Sequence, residues 1–299
     1  MSDPLGREPL VSVVVCTKNG MPFVREAMAS LERQTYRHFE VIVQDAQSTD
    51  GTAEFLSALP FDRLEVVSEP DGGIGDAYNR AFARCSGAIV TTLDADNLLE
   101  RDALDRAVEL FGDPGTAAIY GAAQIIDEEG GKVGVFLPAE FDVHTLMRCE
   151  LVPPFAQSFF STAVCGSELR FDPGLKTCAD FDLWLRLSHL PIRRTDTMFG
   201  SVRHSEKSMS RGSGNYEQFC ADKLEALDRH LARRPALAAE RADAVAGIYC
   251  WASESVLGIE GPSERCRAML ERAEKAAPNY EGLEYMRRRL AETEAALLR

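Results

Sequence analysis

The chain has 299 residues, 45% of them hydrophobic and 27% charged, enough to bury the core of one large domain, alone or with an appendage. Its net charge of −14 argues against sequence-independent binding to nucleic acid or to an anionic membrane, both of which require a basic surface. No charge-poor apolar run reaches the roughly 18 residues of a spanning helix, and the opening MSDPLGREPL lacks the regions of a secretion signal, so a cytoplasmic location is expected.

VSVVVC (11–16) is a short apolar run with the character of a strand, and the segment after Pro22 carries Phe23, Ala27 and Leu31 at helical spacing. EVIVQD (40–45), the turn-rich QSTDGT, a helical AEFLSAL and LEVVSE repeat the theme. After a glycine-rich turn, GDAYNRAFARC predicts a helix and AIVTTL a strand. Alternating β and α units imply a parallel sheet covered by helices, an α/β fold of the Rossmann-like class. Ligands collect at the carboxyl ends of such strands. Three polar clusters fall there: Thr17, Lys18 and Asn19; Asp45 through Asp50; and Asp94, Ala95 and Asp96. Each, taken singly, also reads as turn chemistry.

In AIVTTLDADN (88–97) an extended backbone projects Asp94 and Asp96 to the same side. That arrangement suits a hard cation, although a D-x-D arises by chance about once in a chain of this length. A second one, Asp180 and Asp182, lies in the helical CADFDLWLRL. On a helix these two point roughly 200° apart, so only one faces a given cleft; Trp184, Leu185 and Leu187 read as core. PPFAQSFF (153–160) predicts a strand with Phe159 and Phe160 in the core, and IRRTDTMFGSVRH (192–204) is β-like. Beyond Tyr216, Ala, Glu, Arg and Leu dominate, with breaks near Pro235, Gly261–Pro262 and Pro278, which predicts three to five helices. The eight cysteines are scattered without a C-x-x-C pair, so buried reduced thiols are expected rather than a zinc site or a disulfide framework.

VSVVVCTKNG, then LERQTYRHFEVIVQDAQSTDGT, then SEPDGGIGDAYNRAFARCSGAIVTTLDADN resemble the nucleotide-binding half of glycosyltransferase family 2. PPFAQSFFSTAV, FDPGLKTCADFDLWLRL and VRHSEKSMS resemble its acceptor half, so the likeness covers roughly residues 10–211. The resemblance implies a GT-A fold over residues 1–213, with a donor half at about 10–115 and an acceptor half at about 116–213, followed by a helical C-terminal region, 214–299. It also implies metal-assisted transfer of a sugar from a nucleoside diphosphate sugar, most commonly a UDP-sugar, to a glycan or lipid-linked saccharide, with inversion.

The site residues follow from the same resemblance. Asp96 would ligate Mn²⁺ or Mg²⁺, ions that prefer hard oxygen ligands, with Asp94 touching ribose or metal-bound water. Thr17, Asn19 and Asp45 would contact the nucleoside, and Asp76 and Asn79 the donor. His204 would complete the metal or diphosphate site, and Arg203, Lys207 and Ser210 could neutralise the diphosphate in a loop hinged at Gly212 and Gly214. Asp180 aligns with the family's general base, with Asp182 a structural acid near the helix start; Gln157 and Ser158 correspond to the acceptor side. Two departures are visible: Ala179 replaces a common glutamate before the base, and Ala46–Gln47 replace commoner polar residues. The tail is left as an acceptor-recognition element, a homodimer interface or simple packing, with peripheral membrane contact open. A noncatalytic sugar-nucleotide or glycan-binding protein on the same fold is the alternative. A nucleotidyltransferase fits less well, because TKNG lacks a glycine-rich, basic start.

Overall fold

The computed structural model describes residues 8–113, 115–204 and 215–297. Strand β1 (Val11–Thr17) pairs in parallel with β2 (Phe39–Asp45) on one side and β4 (Ile89–Thr92) on the other, and β3 (Leu64–Ser68) extends the parallel group beyond β2. Every residue of β1 is buried. A strand covered on both faces needs apolar residues at every position, which is why VSVVVC does not alternate. Val11, Val13 and Val15 join a core containing Leu31 of α1 (Val24–Glu32), Leu56 of α2 (Thr52–Ser57) and Leu104 of α4 (Ala103–Leu110). Helix α3 (Ile74–Phe82) packs on β1 and β2.

The strand order is β3-β2-β1-β4-β8-β6-β9-β5, with β7 (Lys132–Phe136) also on β6 (Ala118–Ile126). The chain therefore runs from β1 outward to β3 and then returns to place β4 on the opposite side of β1. That reversal makes the gap between the ends of β1 and β4 the switch point where open α/β sheets hold ligands. Beyond β4 the sheet becomes mixed. Strand β8 (Ser158–Ser161), which leads into the one-turn α6 (Thr162–Cys165), runs antiparallel to both β4 and β6, β9 (Ile192–Arg203) is parallel to β6, and the two-residue β5 (Leu98–Leu99) is antiparallel to β9. Phe159 and Phe160 are fully buried, as expected.

The chain forms two compact units that divide it differently from the 213/214 boundary. The first, residues 1–141, 153–174 and 187–205, holds the whole sheet. The second combines 142–152 and 175–186 with 206–299. It contains α5 (Val143–Met147), all but the last residue of α7 (Ala179–Leu187), and α8 (Tyr216–Arg233), α9 (Arg241–Glu260), α10 (Glu264–Ala276) and α11 (Gly282–Leu297). The breaks fall at the expected prolines and at Gly261, whose φ of +73° suits a residue without Cβ. Asn215 and Ser263 cap α8 and α10 by accepting from the N–H groups of Gln218 and Cys266. Ala246, Leu270, Ala273, Leu283 and Met286 form the core of the helical part. No helix among the described residues is long and apolar enough to cross a membrane.

The short β5 follows the first D-x-D directly, and Gly200 of β9 lies opposite Leu99. A Cβ at Gly200 would collide with the Leu98 carbonyl oxygen, a backbone atom that cannot rotate away. Gly200→Ala is expected to lower stability by about 1–3 kcal/mol, read from the midpoint of urea unfolding at constant slope; an unchanged midpoint would show that β5 gives way at no cost.

Candidate functional site

The loop after β1 is pinned to the loop after β2. Asn19, at φ +53°, donates its N–H to Ser48 Oγ (2.7 Å) and accepts from the Thr49 N–H through Oδ1 (2.8 Å). The Gly20 N–H donates to Thr52 Oγ1 and the Met21 N–H to Asp50 Oδ2, each at 3.0 Å. Asp50 also accepts from the Thr52 hydroxyl and N–H, and the hydroxyl chiefly holds its carboxyl below the ordinary carboxylate range. Asp45 is fully buried. Its carboxylate accepts from the Ser48 N–H (3.0 Å) and from the hydroxyls of Ser48 and Ser68, so it ties the ends of β2 and β3 together.

Thr17 ends β1 with a buried hydroxyl that has no hydrogen-bond partner among the described residues. A Cβ at Gly20 would lie 2.6 Å from that hydroxyl and 3.3 Å from the Ala95 Cβ. The β1 loop and the middle of the D-x-D therefore meet across the switch point, and only a glycine fits between them. On the opposite rim, Gly73 takes φ +112° before α3. Asp76 there accepts from the Gly72 N–H (2.9 Å) and pairs with Arg80 (2.9 Å), and these contacts, Gly72 first, hold its carboxyl below the ordinary range. The Asn79 side chain donates to the Phe171 carbonyl (2.9 Å) and accepts from the Phe171 N–H (2.7 Å), binding α3 to that loop.

The two aspartates of the first D-x-D differ in surroundings. Asp94 accepts from the Tyr78 hydroxyl (2.7 Å) and the Asn97 amide (3.0 Å). Tyr78 itself is buried among Phe82, Phe155 and Phe171, with ring centroids 5.2–5.9 Å away. No side chain hydrogen-bonds the half-buried carboxylate of Asp96 among the described residues. Burial pushes that carboxyl above its ordinary value, and the nearby Arg203 charge only partly opposes the shift.

Arg203 is placed differently from the expected mobile, diphosphate-facing cation. Its side chain is 1% exposed. Nε donates to the Asp96 carbonyl (3.1 Å), one terminal nitrogen to the Asp127 and Glu128 carbonyls (3.1 and 2.8 Å), and the other to Glu26 (2.7 Å). The guanidinium also lies 4.5 Å from the centroid of the Phe23 ring. The Arg203 N–H donates to Asn97 Oδ1 (2.9 Å), and the next residue, His204, donates its N–H to the Ile126 carbonyl (2.8 Å). The backbone of His204 is thus held beside the D-x-D segment. No group of three His, Cys, Asp or Glu side chains placed to hold a metal occurs among the described residues, so Asp94, Asp96 and His204 do not form a protein cage. Lys207, Ser210, Gly212 and Gly214 lie outside the described residues.

Asp180 belongs to the second unit, in the first turn of α7, half-buried and accepting from the Phe181 N–H (2.9 Å). Asp182 is buried in an ion pair with Arg186 (2.8 Å), so the two acids of this motif differ in surroundings. Trp184, Leu185 and Leu187 are core. Ser158 donates to the Pro154 carbonyl, whereas both amide atoms of buried Gln157 have no partner among the described residues.

Several residues that matter here carried little signal in the sequence. Asn97 joins Asp94 to β9 but reads as one more turn residue. Lys223 of α8 is 4% exposed and lies 4.4 Å from the ring centroids of both Phe181 and Trp251. Burial works against its charge, but the neighbouring Cys149, Asp180 and Cys178 outweigh that effect and hold the ammonium above its ordinary range. The spacing Tyr216, Cys220, Lys223, Leu227, Leu231 puts it on the buried stripe of α8, and that periodicity was its one available sign.

The carboxyl of Asp96 is held above its ordinary 3.8 in the folded chain. Its contribution to stability is therefore complete below the unfolded-state value and lost as pH rises through the folded one. Asp96→Asn is expected to raise the Tm of the ligand-free protein at pH 7, with a gain that shrinks as the pH is lowered toward 4; thermal unfolding across that range reads it, and a lower Tm at pH 7 would refute it.

Residues 12–148 match the model of Glycosyl transferase family 2. Chondroitin synthase of Escherichia coli is 27% identical over 212 residues, covering 69% of this chain and 31% of that protein. The chain spans about a third of the length of the first curated relatives it matches. Among solved structures, S. aureus TarS in complex with UDP-GlcNAc aligns over 95% of this chain and 88% of its own, at 18% identity and a TM-score of 0.60. The mannosyltransferase PcManGT of Pyrobaculum calidifontis, in complex with GDP-Man and Mn²⁺, aligns over 99% and 82%, at 20% identity and a TM-score of 0.58. The fold is that of the GT-A glycosyltransferases, and in sequence residues 12–148 are similar to glycosyltransferase family 2.

Proposed function

We propose that the protein is a glycosyltransferase that moves a sugar from a nucleoside diphosphate sugar to a saccharide acceptor, with Asp96 as metal ligand and Asp180 as general base. The observation that carries the donor side is the Asp96 carboxylate, which is desolvated, bonded by no side-chain donor among the described residues, and set in the turn that follows β4 beside the switch point. Burial disfavours this charged carboxylate more than its own backbone N–H and the Arg203 charge favour it, and a cation would relieve that cost.

Mn²⁺ or Mg²⁺ suits this oxygen ligand, and such an ion, when bound, neutralises charge on the departing nucleoside diphosphate. With no three-residue cage among the described residues, the donor's own diphosphate oxygens would supply much of the coordination, beside Asp96 and His204. Asp94, fixed by Tyr78 and Asn97, would accept from ribose or from metal-bound water. Thr17 offers its hydroxyl, unpartnered among the described residues, and Asn19 the amide of its exposed side chain, to the nucleoside. Asp45, Asp76 and Asn79 act on the donor through the loops that they hold in place. Asp180 would take the proton from the acceptor hydroxyl as that oxygen attacks the anomeric carbon, giving inversion.

The neighbours crystallised with UDP-GlcNAc and with GDP-Man and Mn²⁺ support a nucleotide-sugar donor and a divalent metal. A UDP-sugar is our preferred donor, and a glycan or lipid-linked saccharide our preferred acceptor. The unpaired cysteines fit a reducing compartment, which supports the cytoplasm as its location.

Calorimetric titration with UDP, UDP-GlcNAc, GDP and GDP-mannose, with and without Mn²⁺, tests the reading. Metal-dependent binding is expected in the wild type, lost in Asp96→Ala and kept in Asp180→Asn, with turnover in Asp180→Asn lower by about 10²–10⁴-fold. Absence of binding by the wild type across the panel would turn the assignment to the noncatalytic alternative.

A further inference from the structure

The first helix of the C-terminal region, α8, meets the segment that carries Asp180 at two consecutive residues. Asp222 is 3% exposed, and its Oδ2 accepts from the N–H groups of Lys176 and Thr177 and from the Thr177 hydroxyl, each at 2.8 Å. Its other oxygen accepts from Gln218 one turn earlier (2.6 Å), which fixes the carboxylate on its own helix. Lys223 then places its ammonium over Phe181, the residue whose N–H donates to Asp180. The second ring over that ammonium, Trp251, comes from α9. Residues 176–181 are thereby held at both ends by the pair Asp222–Lys223.

The energetics make this pair hard to explain as packing alone. A lysine removed from water is strongly destabilising unless it is paired. Among the described residues Lys223 makes no ion pair within salt-bridge distance; its ammonium meets the Cys149 thiol, a weak hydrogen-bond partner, and two aromatic faces. Its polar neighbours are Cys149, Cys178 and Asp180. Cys149 itself takes φ +57°, in the left-handed region that a non-glycine residue rarely adopts. A methionine would fill the same cage without the desolvation cost and would keep favourable sulfur–aromatic contacts.

We propose that Asp222 and Lys223 are positioning residues for Asp180, so that the C-terminal helical region is part of the apparatus for proton removal from the acceptor. Asp222 sets where α7 begins, and Lys223 sets the electrostatic and steric surroundings of its first turn. The functional half of this inference rests on the reading of Asp180 as the general base. A displacement of the base by about 1 Å is enough to lower turnover about 10²-fold.

The test compares Lys223→Met, Lys223→Arg, Asp222→Ala and Asp180→Asn in the full chain. Turnover is read as nucleoside diphosphate release from UDP-GlcNAc and GDP-mannose with Mn²⁺, alongside Tm and amide hydrogen exchange. Lys223→Met is expected to keep or raise Tm and leave the donor KM unchanged, while kcat falls about 10–100-fold; Lys223→Arg is expected to recover most of that loss. A merely structural lysine predicts activity that follows Tm, so unchanged kcat in Lys223→Met beside an inactive Asp180→Asn overturns the positioning role. Full turnover by Asp180→Asn overturns the reading of the base instead. The clamp is measured independently of turnover: Asp222→Ala should speed exchange at the Lys176 and Thr177 amides, and unchanged protection there overturns the inference whatever the kinetics show.

Discussion

Arg203 carries a full positive charge to a place where its side chain is 1% exposed, and the geometry around the first D-x-D is organised around it. The desolvation penalty of such a group is several kcal/mol. It is offset by hydrogen bonds from a charged donor, each worth about 1.5–3 kcal/mol, to the carbonyls of Asp96, Asp127 and Glu128 and to the carboxylate of Glu26. These acceptors come from the D-x-D, from the turn between β6 and β7, and from α1. The planar fork of arginine serves three directions at once, which the point charge of a lysine could not do. One side chain therefore fixes the backbone of the candidate metal ligand relative to the turn between β6 and β7 and to the helix that follows β1.

Around that hub the acidic residues divide into those that hold loops and those left for chemistry. Asp45, Asp50 and Asp76 accept backbone N–H groups or hydroxyls. For Asp50 and Asp76 those bonds keep the carboxyl ionised below its ordinary range. They make the rims rigid. Asp96 has the reverse balance: burial opposes its charge, and no side chain bonds to its carboxylate among the described residues. The same residue type thus serves as a clamp or stands as a desolvated carboxylate according to how many donors its loop provides. An overall charge of −14 does not distinguish these cases, because it is the local donors that set them.

Much of the donor half was legible in the sequence. The alternation from VSVVVC to AIVTTL predicts β1 through β4 with their helices, because period-2 and period-3.6 patterns are local properties of the chain. The three polar clusters at strand ends are also local, and the structure brings two of them together through Gly20, Thr17 and Ala95. What could not be read were partners distant in sequence. Nothing local to VRH shows that Arg203 reaches back to Glu26, or that Asn79 grips Phe171. The mixed half of the sheet was obscure for a similar reason: β5 has two residues, too few to carry a periodic signal.

The division of the chain has the same origin. In sequence, residues 142–152 and 175–186 lie beside or within segments that resemble the acceptor half, whereas compactness joins them to the helical tail. The tail's stripe of Tyr216, Cys220, Lys223 and Leu227 explains how. Three of these positions are suited to an ordinary helix–helix core, and the fourth inserts a cation between two rings beside the helix of Asp180. A core built only for stability would place an apolar residue there, since polar groups that are buried without full pairing lower stability. The retention of Lys223 in that stripe is therefore the point at which local pattern and stability disagree, and such disagreements concentrate where a fold has been shaped for function.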